Sequence, residues 1–138
     1  MYPEEIVLPM KEELTENGFQ ELLNKAEVEE QLHKQGTTLV MINSVCGCSA
    51  GSARPGVLMA VINATKKPDY LTTAFAGFDV EAVQTLRQHL FPYPPSSPAI
   101  ALFKDGELVH FIERHQIEGR PAQVIARNLI SAFEQHCS

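Results

Sequence analysis

The sequence predicts an α/β fold of three layers, with a central mixed sheet sandwiched between helices and extra helices at the N-terminal end. Three observations carry this expectation. Apolar residues recur at helical spacing through the opening third, strand-like and helix-like segments alternate through the middle, and a hairpin followed by an amphipathic helix closes the chain.

In the opening third, Met10, Leu14, Phe19, Leu22, Leu23, Val28 and Leu32 recur mostly at three- to five-residue steps among Glu, Lys and Gln. Asn17-Gly18 splits this stretch into two helices. The run Thr37 to Asn43, entered through Gly36, is short, apolar and partly β-branched, as suits a strand buried on both faces. From about Ala50 to Thr65, Val57, Leu58, Val61 and Ile62 make a helical stripe, in which Pro55 is tolerable near a first turn or at a kink. A turn at Lys67-Pro68-Asp69 leads into a second strand, Tyr70 to Ala76. Asp79 is placed to cap a helix running to about Leu90, with Phe78 supporting its entry as a hydrophobic staple.

The proline-rich stretch Phe91 to Pro98 is a loop, because it suits neither regular helix nor central strand. Ala99 to Phe103 and Leu108 to Ile112 flank Asp105-Gly106, a strong hairpin signal. A last helix, entered near Gly119-Arg120-Pro121, carries Val124, Ile125, Leu129, Ile130 and Phe133 on one face. No repeat or linker interrupts the chain, so residues 1–138 are expected to form one domain.

The 138 residues are 44% hydrophobic, enough for a core, and the formal net charge is −6. Lys and Arg are scattered, which argues against nucleic acid as a partner. No apolar stretch approaches the roughly 20 residues of a membrane helix, and Met1 to Glu5 lacks the features of a signal peptide. The expectation is a cytoplasmic protein without membrane contact. Nothing in the sequence specifies an oligomeric state. Three unevenly spaced cysteines do not make a secreted disulfide framework; in a reducing compartment, close cysteines suggest redox or metal chemistry.

Cys46-Gly47-Cys48 falls between the first strand and the helix after it. A helix start turns unpaired N–H groups and the positive end of its dipole toward a sulfur, and the thiolate so favoured is the attacking species in disulfide exchange. Gly47 relaxes the backbone limits on closing so short a ring, and a strained disulfide is a labile one. By its exposure at the turn Cys46 is the nucleophile, leaving Cys48 to resolve the mixed disulfide. Two neighbouring buried cysteines would read as packing, but the flanks Asn43-Ser44 and Ser49-Ala50-Gly51-Ser52 are small and polar, which gives a bulky partner room. Metal binding would require further ligands, and no second Cys-x-Cys or His-x-x-His exists.

Other candidates surround this pair. A cis Ser97-Pro98 bond would hold an extended edge beside the cysteines and offer backbone groups to a partner. Arg54 would add positive potential. Cys137, next to last, reads either as an idle surface thiol or as a third redox partner able to trap Cys46. His115 and His136 would tune a thiolate only if close, while Tyr70, Phe91 and Tyr93 read as core or loop packing.

Ser97 to Glu107 looks like the thioredoxin segment that runs from the cis-proline through the hairpin. A wider resemblance is more specific. Thr37-Thr38-Leu39-Val40, Asn43 to Cys48, Ala53-Arg54-Pro55, Phe75-Ala76-Gly77, Pro95 to Pro98, His110-Phe111-Ile112, Arg114-His115, Ile117-Glu118-Gly119 and His136-Cys137 resemble the bacilliredoxin family in order and spacing. The resemblance spans residues 3 to 137. It implies a thioredoxin-like fold, no bound cofactor, bacillithiol as thiol co-substrate, and bacillithiol-modified proteins as partners. It further implies that Cys46 attacks the protein–bacillithiol disulfide and takes the small thiol onto itself, to be regenerated by free bacillithiol or through Cys48, with Pro98 the cis-proline beside them.

The sequence departs from ordinary thioredoxins in having no tryptophan and one residue between its cysteines. Val40 falls where thioredoxins bury an acid, which favours monothiol chemistry over a dithiol reductase route. Three function classes remain: a bacilliredoxin-type enzyme, a more general disulfide isomerase or oxidase using the Cys46–Cys48 bond, and a non-enzymatic metal or iron–sulfur carrier.

Overall fold

The structure, a computed structural model, describes residues 1–138. Its elements in chain order are α1 (Glu4–Thr15), β1 (Gln20–Glu21), α2 (Lys25–Leu32), β2 (Thr37–Asn43), a π-helical turn (Ser49–Ala53) leading into α3 (Arg54–Asn63), β3 (Tyr70–Phe75), α4 (Val80–His89), β4 (Ala99–Lys104), β5 (Glu107–Ile112), α5 (Arg114–Ile117) and α6 (Ala122–His136). The five strands form one mixed sheet in the order β1-β3-β2-β4-β5. β3 runs parallel to both its neighbours, while β4 runs antiparallel to β2 and β5.

All seven residues of β2 are buried, as its unbroken apolar run requires. Alternation divides them between two cores: Leu39 and Met41 meet Leu14, Val57, Leu129 and Phe133 on the side of α1, α3 and α6, whereas Val40 and Ile42 meet Val28, Ala82 and Leu86 on the side of α2 and α4. The β4 residues divide the same way, Ile100 and Leu102 to the first core and Ala101 and Phe103 to the second. This is the expected three-layer sandwich. Asp105 and Gly106, both at positive φ, make the two-residue β4–β5 turn that Asp-Gly predicts.

Two local expectations are corrected. The opening third is not wholly helical: Gln20–Glu21 forms a short strand, and Leu22 N–H also bonds the Thr73 carbonyl at 2.8 Å. Two residues carry no periodicity, and their pairing exists only because β3 offers an open edge. The four-residue α5 is likewise too short to show a stripe. Asp79 occupies the N-cap position of α4, yet its carboxylate accepts from Phe75 N–H (2.9 Å) and Lys11 Nζ (3.0 Å) and caps nothing. The tertiary arrival of Lys11 outcompetes the local cap. Phe78 lies beneath the Lys11 ammonium, 4.8 Å from ring centroid to Nζ.

Candidate active site

The site begins where β2 ends. Asn43 is buried, and its Oδ1 accepts from Ser44 N–H (2.9 Å), Ser49 Oγ (3.1 Å) and Arg54 Nη1 (2.8 Å), while its Nδ2 donates to the Met10 carbonyl (3.1 Å). One side chain thus ties the strand end to the loop, to the helix entry and to α1. Cys46 N–H donates to Ser44 Oγ (2.9 Å), and the Cys46 carbonyl accepts from Ser49 N–H (2.9 Å), so the chain turns into the helix directly after Cys46.

The first turn is π-helical, with Arg54 N–H reaching back five residues to the Ser49 carbonyl. Pro55 is the physical cause: it has no N–H to continue an α-helical ladder and its ring crowds the preceding turn, which widens to receive it. The widened turn also directs Arg54 inward. Arg54, only 2% exposed, donates through Nη1 to Asn43 Oδ1, the Ser44 carbonyl (3.0 Å) and Ser49 Oγ (3.1 Å), and through Nε to Glu13 (2.7 Å). Arg54, expected to add positive potential at the cysteines, is the post that holds their loop.

The two thiols are free and half-buried, with Sγ atoms 2.7 Å apart, and Cys48 N–H points at Cys46 Sγ from 3.4 Å. Hydrogen bonding from the Cys48 thiol, reinforced by Cys48 N–H, the Arg114 charge and Ser49 N–H, holds Cys46 below the usual thiol pKa against the effect of burial. Burial pushes Cys48 the other way, to about 11, aided by its bond and repulsion with Cys46 and by Glu118. Cys46 is thus the more readily ionised thiol of the pair and Cys48 the less readily ionised one.

Arg114 is the residue that sequence reasoning missed. It opens α5, whose start is fixed by a capping box between Glu113 and Gln116. Its Nε pairs with Glu118 (2.7 Å), its Nη1 donates to the Ser97 carbonyl (3.3 Å), and its backbone N–H reaches Ser96 Oγ (3.4 Å). The motif Arg114-His115 was visible, but no spacing connects it to Cys46 before the sheet folds. The Ser97-Pro98 bond is cis, Pro98 is buried, and Ser97 faces Cys46 across a cavity of about 450 Å³. Tyr2, Gly77, Arg87 and Arg114 are among the other residues that line it. Gly77, at φ +79, is required there: a Cβ would stand 2.6 Å from the Tyr2 ring. Gly47 is exposed, with open space around it.

Cys137 is neither a surface thiol nor within reach of Cys46. It is 6% exposed, packs in the core beneath α6, and lies beside Thr37 at the start of β2, where burial raises its pKa. The length of β2 separates it from the active pair by on the order of 20 Å. His115 is exposed on α5, and His136 adjoins Cys137 at the far end. No cluster of three or more His, Cys, Asp or Glu side chains forms a metal-holding group, and no helix is long and apolar enough to cross a membrane.

A cysteine pair at a strand-to-helix junction of a mixed sheet, one thiol pushed toward its anion and the other away from it, defines a thiol–disulfide oxidoreductase of thioredoxin-like fold. Oxidised mitochondrial thioredoxin 3 of Saccharomyces cerevisiae superposes with a TM-score of 0.57 at 14% identity, over 86% of this chain and 96% of its own, a likeness of fold. A family model described as disulphide isomerase matches residues 2–137. A bacilliredoxin of Cytophaga hutchinsonii is 55% identical over 135 residues, covering 98% of this chain and 99% of its own. Another, of Halalkalibacterium halodurans, is 51% identical over 137 residues, covering 99% of this chain and 94% of its own. The chain belongs to the bacilliredoxin family.

Proposed function

We propose that the protein removes bacillithiol from proteins that carry it as a mixed disulfide, with Cys46 attacking and Cys48 resolving. The observation that carries this reading is the opposite tuning of the two thiols, of which Cys46 lines a cavity sized for a small molecule. The similarity to proteins named bacilliredoxin supplies the identity of the thiol.

Cys46 Sγ, as thiolate, attacks the bacillithiol sulfur. A new S–S bond forms between them, the old one breaks, and the target protein leaves as a thiolate that takes a proton from water. Two routes then regenerate Cys46. A free bacillithiol thiolate attacks the adduct, releasing bacillithiol disulfide and the Cys46 thiolate; or Cys48 loses its proton, displaces bacillithiol from Cys46 and leaves an internal disulfide that two further equivalents of bacillithiol reduce. Burial disfavours the Cys48 thiolate whether or not Cys46 carries the adduct, which favours the first route. Glu118, exposed on the surface, is the acid that acts on Cys48, and buried Val40 supplies no carboxylate to take its proton. No bound cofactor enters this scheme, and a pair that must return to the thiol form belongs in the reducing cytoplasm.

The test is to mix a bacillithiol-modified protein with wild type, Cys46→Ser and Cys48→Ser and to follow intact masses. Cys46→Ser should abolish removal, because a hydroxyl is too weak a nucleophile for sulfur exchange. Cys48→Ser should remove bacillithiol and accumulate the adduct. Removal by Cys46→Ser at the wild-type rate would sink the mechanism, and equal loss in both variants would favour the dithiol route. The description of the matching family model supports a second reading, general disulfide isomerisation; refolding of a scrambled disulfide protein without bacillithiol would favour it.

A further inference from the structure

Arg87 is unused by the chemistry above. Its guanidinium, half-buried at the end of α4, donates to the Ser96 carbonyl at 3.1 Å and has no carboxylate within ion-pairing distance. Burial alone acts on it and lowers its pKa. Partly buried charges are ordinarily compensated. Arg87 instead lines the Cys46 cavity together with Arg114, and no Asp or Glu joins them there. In a chain with 17 acidic and 11 basic side chains, a cavity lined by two arginines, one unpaired and the other paired only with Glu118 outside the lining, runs against the overall charge.

We propose that this cavity is an anion pocket for the small-thiol half of the mixed disulfide, in which Arg87 and Arg114 bind carboxylate on a low-molecular-weight thiol whose sulfur meets Cys46. The inference rests on the proposed exchange at Cys46 and specifies the class of thiol it accepts. Guanidinium forks match carboxylates in geometry and charge. The cavity's volume, about 450 Å³, suits a small thiol better than a folded protein surface. Arg87 is held toward the cavity by Ser96 and Arg114 by Ser97, so the loop carrying the cis-proline orients both.

The test uses three symmetrical disulfides of similar size: 3,3′-dithiodipropionate (a dianion), bis(2-hydroxyethyl) disulfide (neutral) and cystamine (a dication). With each, the Cys46 thiolate bonds one sulfur and expels the other as a thiolate. Adduct formation is followed by mass, divided by the rate of the same disulfide with 2-mercaptoethanol, and expressed per Cys46 thiolate from alkylation with neutral iodoacetamide. Wild type should prefer the dianion over the dication by about tenfold or more at low salt. Succinate should slow the dianion's reaction more than chloride does at equal ionic strength. In an Arg87→Gln, Arg114→Gln double variant the preference should fall to within about twofold, whereas Arg87→Lys should retain most of it. No preference in wild type, or one that survives the double substitution, overturns the pocket. Preference for the dianion without removal of bacillithiol from a modified protein would overturn the proposed activity alone. Equal removal by wild type and the double variant would overturn the pocket alone.

Discussion

Cys46 and Cys48, one glycine apart, are driven in opposite directions by their surroundings. Cys46 gains hydrogen bonds to its anionic form, from the Cys48 thiol first and then from backbone N–H groups, and it feels Arg114. Cys48 sits further into the helix, where burial disfavours its anion. Because only the thiolate reacts, a lowered pKa moves the pH–rate profile of Cys46 toward acid, while Cys48, pushed up to about 11, has little thiolate near neutral pH. Limiting iodoacetamide followed by peptide mapping should therefore label Cys46 first, and preferential labelling of Cys48 would reverse the roles. Arg114→Gln removes a positive charge that favours the anion, so the Cys46 profile should move toward alkali. The same measurement on Arg54→Lys, at a guanidinium absent from the groups acting on Cys46, separates charge effects from loop effects.

At the scale of elements, the site depends on how α3 leaves the sheet. The π-helical turn, Pro55 and buried Arg54 form one device, with the turn making room for the proline and the arginine tying that turn to Asn43 and Ser44. Arg54→Leu loses charge-assisted hydrogen bonds that nothing nearby replaces, and should cost about 2–3 kcal/mol in urea unfolding while slowing Cys46 alkylation. Two residues on, Gly56 lets α3 approach α6: a Cβ there would stand 2.7 Å from Ile125 Cβ and 3.1 Å from the Ala122 carbonyl. Gly56→Ala should destabilise the fold by about 1–3 kcal/mol through overpacking, despite alanine's better helix propensity. A higher urea midpoint in that variant would show that the two helices have room to separate.

Across the whole molecule, the sheet carries thiol chemistry at one end and a closed core at the other. Cys46 and Cys48 follow the last residue of β2, while Cys137 is packed beside the first. An intramolecular bond between Cys137 and Cys46 would need sulfurs to meet across the full strand, far beyond the roughly 4.4–6.8 Å between Cα atoms that a disulfide spans. Mild oxidation should therefore join Cys46 to Cys48 and leave Cys137 reduced, to be alkylated only after denaturation. A Cys46–Cys137 linkage within one chain, mapped by peptide mass, would contradict this placement.

The layered α/β fold was legible in the sequence, because long patterned segments such as Thr37 to Asn43 and the stripe Val124 to Phe133 can bury their apolar faces in few ways. The sequence also placed Cys46 and Cys48 at a strand-to-helix junction and marked the Asp105-Gly106 turn, since those signals lie within a few neighbouring residues. Tertiary structure alone decided the rest. Gln20–Glu21 became a strand because β3 had an edge to fill, and Asp79 gave up its cap because Lys11 arrived from α1. Arg54 turned inward to Asn43, Cys137 was buried at the far end, and Arg87 and Arg114 came to line one cavity with Cys46. Each of these outcomes rests on groups far apart in the chain, whose meeting no local propensity encodes and only the packed sheet and helices enforce.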